Sequence, residues 1–294
     1  MNHDNDGTGV RFSMNESGDM TPAEFHKRQG LDTEHPKQKP NKHELKKMNE
    51  KRNRPDHAAG RKLQEDPENL SINWAEKGFV GPVKNQGGCG SCWAFAATTV
   101  QETMVAIMRD TEPVRLSEQE CVDCDNSSYG CGGGWMSNCW QYSKDFGIQT
   151  EADYPYQGID GGCRNQSNKR IASKMGMMGY LEGPDQIAND LIHYGPISIA
   201  VGAGNDCWQF YSGGILSSAV ECPTSLDHGV VIVGIDRTGE VPYWIVQNSW
   251  GTGWGDNGFI YLAVEEGEGV SGMNVYPEWM DVDWDYPQEF TCPN

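Results

Sequence analysis

The chain has 294 residues, enough for one large domain or two medium ones, and a formal net charge of −19. Residues 1–67 are nearly balanced, with 13 Lys+Arg against 12 Asp+Glu, so the acidity belongs to residues 68–294. No basic footprint exists for nucleic acid or an anionic membrane surface, and no run of eighteen apolar residues offers a membrane-spanning helix.

Residues 1–67 hold no cysteine or tryptophan and are rich in Lys, Asn, His and Asp. Only Val10–Phe12 and Ala23–Leu31 have packing potential, so this part forms no core alone. Thr21 before Pro22, with Glu24 three positions on, predicts a short capped helix. Residues 32–67 read as a polar linker. The N-terminus shows neither the charged n-region nor the apolar h-region of a secretory signal.

From Leu70 the apolar density rises. Trp93, Ala96, Val100, Met104, Ile107 and Met108 keep helical spacing, so a buried helix is predicted over 91–109, with Cys92 in its first turn. Ser117 with Glu120 has the form of a capping box and starts a second helix. Gly130 to Gly134 is a glycine-rich loop, and Trp135–Phe146 reads as a third helix. After a last helix over Ile187–His193 the texture changes. Pro196–Val201, Gly229–Gly234, Tyr243–Val246 and Phe259–Val264 read as strands. A helical half followed by a strand-rich half predicts an α+β protein with a cleft between them.

The chemistry centres on Cys92. Free amide N–H groups and the helix dipole favour a thiolate at a helix N-terminus. A nucleophilic thiol needs a base. Five of the seven histidines lie in the polar front part, and His193 ends a helix. His228 is left, at the start of an apolar strand. A hairpin centred near Thr238 sets residue 228 opposite residue 248, which brings Asn248 beside it to orient the ring. Trp250 can shield that hydrogen bond. Gln86, six residues before Cys92, can point its amide at the oxygen on which negative charge develops. All ten cysteines lie between Cys89 and Cys292, a pattern suited to an oxidising compartment, and four Asn-x-Ser sequons (Asn15, Asn69, Asn126, Asn165) agree.

Five separate stretches now stand in order: Gln86-Gly-Gly-Cys-Gly-Ser-Cys92-Trp93, Leu116-Ser-Glu-Gln-Glu with Cys124-Asp, Tyr129-Gly-Cys131-Gly-Gly-Gly, Asp227-His228-Gly229, and Asn248-Ser-Trp-Gly-Thr-Gly-Trp-Gly-Asp-Asn-Gly258. Together they resemble the papain family of cysteine peptidases, over residues from about 70 to 277. The resemblance implies the papain-like two-domain fold, with a helical left domain and a β-barrel-like right domain. It implies Cys92 as nucleophile, His228 as acid and base, Asn248 as orienter and Gln86 as oxyanion donor. Val10–Phe25 is similar to the end of the family's inhibitory propeptide, without the long helices that precede it, and its tail is expected along the cleft. The expected boundaries are 1–67 for propeptide and linker, 68–178 for the left domain, 179–277 for the right domain and 278–294 for an acidic tail.

By resemblance Cys89 pairs with Cys131 and Cys124 with Cys163. Cys121 and Cys139, on the second and third predicted helices, are assigned to each other, and Cys207 to Cys222. Cys292 is left over. Gly90, Gly133 and Gly134 are expected to offer backbone to an extended peptide. Trp135, Met136, Ala200 and Gly229 would line an apolar pocket for the second residue before the scissile bond, with Met273 or Asn274 at its end. Trp250 lies on the same cleft.

The expected activity is an endopeptidase with no cofactor and no metal, monomeric, acting on peptides and proteins and blocked by cystatin-like inhibitors. The expected location is lysosomal, vacuolar or secreted. Two alternatives stay open: a catalytically silent homologue that binds peptides, and a zinc module using Cys89-x-x-Cys92 and Cys121-x-x-Cys124. The zinc reading leaves Gln86, His228 and Asn248 without a role.

Overall fold

The computed structural model describes residues 9–33, 41, 43–44, 46–47, 50, 71–164 and 169–283. The first of these stretches carries strand β1 (Arg11–Phe12) and helix α1 (Pro22–His26). Thr21 caps α1 in the predicted way: its hydroxyl accepts from the Glu24 N–H, and Glu24 returns a bond to the Thr21 N–H at 2.9 Å. The segment has no core of its own. Val10 and Phe25 instead bury completely or nearly so in the cluster of the strand-rich half. β1 extends a ribbon with β5 (Tyr211–Gly213), and the Asn15 amide donates to the Gln209 and Tyr211 carbonyls at 3.0 and 3.2 Å.

The helical half is built on α2 (Cys92–Arg109), which is buried on all sides from Cys92 to Ala106. A helix buried on every face belongs in a core rather than on a surface. It stops at Asp110, which takes the left-handed conformation, φ 56°. α3 (Glu118–Cys124) starts with Ser117 accepting from the Glu120 N–H. Only half of the predicted box forms. The Glu120 carboxylate turns away to the Tyr142 hydroxyl, the Gln149 N–H and Lys169. α4 (Met136–Phe146) packs on α2 through the Trp140 indole, which donates to the Ala97 carbonyl at 2.9 Å.

In the other half, α5 (Gly183–His193) begins four residues before the predicted start, because Pro184 suits a first helical turn. The main sheet has eight strands. β3 (Met175–Tyr180), β10 (Glu278–Val282), β4 (Ile197–Val201), β7 (His228–Asp236), β8 (Tyr243–Gln247), β9 (Phe259–Ala263) and β6 (Ile215–Leu216) follow in that spatial order. β2 (Ile72–Asn73) pairs with β7. β3 and β6 do not pair with each other, so among the described residues the right-hand half is an open sheet rather than a closed barrel.

Two expectations are corrected here. Residues 278–282, assigned to an acidic tail, form a buried strand between β3 and β4. Their carboxylates mask the strand pattern, since Glu278 and Asp281 are themselves buried, and Glu278 takes a hydrogen bond from Tyr180. The β7–β8 register also differs. Asp236 faces Tyr243, a bulge falls between Ile232 and Gly234, and Val231 faces Gln247. The longer turn and the bulge move the centre of the hairpin beyond Thr238. The expected residue-on-residue pairing of 228 with 248 therefore does not hold.

Candidate active site

Lys84 anchors the loop before Cys92. Its ammonium is buried and donates to Thr98 and Glu102 of α2 and Glu118 of α3, at 3.3, 2.7 and 2.5 Å. Burial drives the Glu102 carboxyl up to about 7, against the pull of Lys84. The Cys89–Cys131 bridge ties the other end of the loop to the glycine-rich turn. Further bridges join Cys121 to Cys139, Cys124 to Cys163 and Cys207 to Cys222. Among the described residues Cys92 is the free cysteine, and Cys292 lies outside them. With Cys89, Cys121 and Cys124 oxidised, the proposed zinc knuckles have lost three of their four thiolates.

Cys92 is the first residue of α2 and is fully buried. Its sulfur accepts from the Gly229 N–H at 3.3 Å, and the Gly30 N–H also points at it. Burial pushes the thiol up to about 12, and the nearby Asp227 charge adds to this, against the N–H donors. His228 is also fully buried. Burial pushes it down to about 4, its bond to Asn248 works the other way, and the Arg28 charge lowers it further. In the docked form burial favours the neutral thiol and the neutral imidazole.

His228 and Asn248 meet despite the shifted register. The His228 Nε2–H donates to Asn248 Oδ1 at 2.8 Å, a diagonal side-chain reach between neighbouring strands. That bond fixes the tautomer and leaves the buried Nδ1 with a free lone pair. Trp250 lies over the imidazole, ring centroids 4.7 Å apart, and Trp208 and Trp254 back it. Water is kept from the His–Asn bond by this wall.

Gln86 is fully buried. The Ser249 hydroxyl donates to its Oε1 at 2.7 Å and so fixes which way the amide points. The NH₂ group donates to the Arg28 carbonyl at 2.7 Å and the Cys89 carbonyl at 2.9 Å. Ser249 was not singled out from sequence, although it stands inside the Asn248-Ser-Trp motif.

The N-terminal segment occupies the cleft. Leu31 pairs with Gly134 in parallel sense, the Gly134 N–H donating to Gly30 and the Asp32 N–H to Gly134. The Asp227 carbonyl accepts from the Leu31 N–H at 3.0 Å. Gly30 lies flat on Gly90, where a Cβ would run into the Gly90 carbonyl. Gly133 holds φ 128°, open to glycine, with its Cα facing the Gly30 carbonyl. Leu31 joins the apolar cluster that holds Trp135, Met136 and Ala200, with Leu226 and Tyr276 packed against it. The Trp135 indole donates to the Asp32 carbonyl at 3.0 Å. Gly229 backs the pocket, a Cβ there falling 3.1 Å from the Met136 sulfur. Met273 instead packs in the other cluster, and the Asn274 amide is spent on the Glu265 and Gly267 carbonyls. Leu226 and Tyr276, which sequence did not mark, pack instead against the cluster that holds Leu31, Tyr276 lying 5.2 Å from Trp135 between ring centroids.

Comparison with known proteins agrees with this geometry. Residues 68–278 match the family described as papain family cysteine protease. Digestive cysteine proteinase 3 of Homarus americanus is 36% identical over 272 residues, 91% of this chain and 79% of the lobster protein. The ragweed Amb a 11 cysteine protease in its proform superposes with a TM-score of 0.78 at 32% identity, over 95% of this chain and 83% of that one. Digestive procathepsin L 3 of Tenebrio molitor larval midgut gives 0.74 at 30% identity, over 92% and 83%. The chain belongs to the papain family of cysteine proteases. It is a cysteine peptidase, a hydrolase acting on protein substrates, with its N-terminal segment docked in the manner of a zymogen.

Proposed function

We propose that the chain is an endopeptidase that cleaves through a Cys92 thiolate and a His228 imidazolium. When the segment leaves, water and substrate replace it, and the helix N-terminus and Gly229 N–H favour the thiolate. The thiolate attacks the scissile carbonyl. The resulting oxyanion takes its hydrogen bond from Gln86, and His228 passes its proton to the departing amine. Water then attacks the acyl-enzyme, with His228 taking its proton and Cys92 leaving as thiolate. Asn248 keeps the ring in the tautomer that this exchange needs.

The observation that carries the reading is the Gln86 amide, aimed at a peptide carbonyl near a free thiol in the first turn of α2. A preference for an apolar second residue before the scissile bond is supported by Leu31 in the Trp135–Met136–Ala200 cluster. Four disulfides support an oxidising destination: secreted, lysosomal or vacuolar. Monomeric action and blockade by cystatin-like inhibitors follow from the family resemblance. The test compares peptides with leucine or glutamate at that second position. Hydrolysis of the leucine peptide alone, lost in Cys92→Ala, is expected; equal hydrolysis of both, or activity surviving Cys92→Ala, would overturn it.

A further inference from the structure

Arg28 is a long cationic side chain that the fold buries, leaving it 4% exposed. Its guanidinium carbon lies 5.5 Å from the centroid of the Trp250 ring. Nε donates to the Gly87 carbonyl at 3.1 Å and Nη2 to Asn85 Oδ1 at 3.4 Å. Nη1 donates to the Ser17 hydroxyl at 2.8 Å and reaches the Met20 sulfur at 3.8 Å. Ser17 and Met20, with the attracting charge of Glu16, belong to the docked segment and leave with it. Trp250, Gly87 and Asn85 belong to the body and stay. What they present is a ring face, a carbonyl and an amide oxygen, a niche of acceptors suited to a planar cation.

The niche has a definite place along the cleft. The Arg28 carbonyl sits on the Gln86 amide. Gly30 and Asp32 pair with Gly134, and Leu31 joins the apolar cluster of Trp135, Met136 and Ala200 beyond. The pocket and Gly134 therefore lie on one side of Cys92, and the Trp250 niche on the other. With the apolar cluster taken as the pocket for the second residue before the scissile bond, as in the proposed function, the first side receives the acyl half of a substrate and the second the leaving half.

We propose that this niche is a subsite for a basic side chain, arginine above lysine, at the residue just after the scissile bond. The proposal rests on the peptidase reading of Cys92. The charge of the body points the same way: residues 68–294 hold 30 Asp+Glu against 10 Lys+Arg, a field that draws cationic peptides. Arg28 itself is then a resident occupant of the subsite, borrowed by the segment to hold the cleft shut.

The test uses the full chain opened in acidic reducing buffer, with active sites counted by epoxide titration. Three quenched peptides carry leucine at the second position before the scissile bond and arginine, citrulline or glutamate just after it. Citrulline keeps the shape of arginine without its charge. The arginine peptide is expected to exceed the citrulline one in kcat/KM by about five- to tenfold, with glutamate slowest. Asn85→Asp raises the arginine-to-citrulline ratio and Asn85→Leu lowers it. Equal kcat/KM for the three peptides, or a ratio that ignores both variants, overturns the subsite and leaves the peptidase intact. Titratable sites that cleave none of the peptides overturn the peptidase reading and the subsite with it.

Discussion

Replacing Leu31 by alanine isolates what holds the segment in the cleft. Leu31 is 7% exposed and sits in the cluster of Trp135, Met136 and Ala200. The backbone bonds of Gly30, Leu31 and Asp32 to Gly134 and Asp227 do not involve its side chain. The change therefore falls on the pocket alone. Losing a buried leucine side chain and leaving part of a cavity costs about 2–3 kcal/mol of docking. That converts to a rise of roughly 30- to 150-fold in the population with the segment displaced. The assay is the second-order rate of Cys92 alkylation by a peptide epoxide in the full chain, since the sulfur is reached only when the segment lifts. A rate unchanged from wild type, with an unchanged melting temperature, would refute the claim that Leu31 is the anchor.

In a Cys92→Ala chain, where no thiol gives up a proton as the cleft opens, acid should loosen the segment. In the docked form His228 is held down to about 4, while an exposed imidazole titrates near its ordinary 6.5, so the open form binds more protons between those values. Docking is then weakened as pH falls from about 6.5 to about 4, by at most about 1.4 kcal/mol per pH unit. Asp227, which burial raises, acts in the opposite sense, but the Ala203 and Gly204 N–H groups hold that change down. In a full-length Cys92→Ala chain, which cannot cut itself, tryptophan emission at Trp250 should report undocking across that window; a flat profile contradicts it. Gln86→Ala should lower kcat by about a hundred- to a thousandfold, because the oxyanion loses a fixed donor; steady-state kinetics on the leucine peptide measure it. Removing the Cys89–Cys131 bridge by a double serine variant should cost about 4 kcal/mol, the loop-closure value for its 42-residue separation, read from denaturant unfolding.

The strongly periodic elements were legible from sequence. α2, α3 and α4 stand where their apolar spacing and caps put them, and β4, β7, β8 and β9 fall on the predicted runs. Local chemistry set their ends, as at Ser117 and Gly147. What failed depended on partners far away in the chain. β10 mixes acid and apolar residues, and only its place between β3 and β4 makes it a strand. The turn and bulge shift the β7–β8 register, which no local pattern announces. His228 and Asn248 still meet, because side chains bridge the diagonal. The docking of residues 9–33 was visible only as a likeness. Its physical basis, Leu31 in the pocket and Arg28 on Trp250, belongs to contacts across the cleft.

We propose that Cys92, kept out of the four bridges at the head of α2, carries the chemistry. The most direct test opens the full chain in acidic reducing buffer, reacts it with a peptide epoxide and maps the adduct by peptide mass spectrometry. A single adduct on Cys92, with hydrolysis lost in proportion to its formation, is the predicted result. Hydrolysis that persists in fully alkylated protein, or an adduct that forms on another residue while Cys92 stays free, would contradict it.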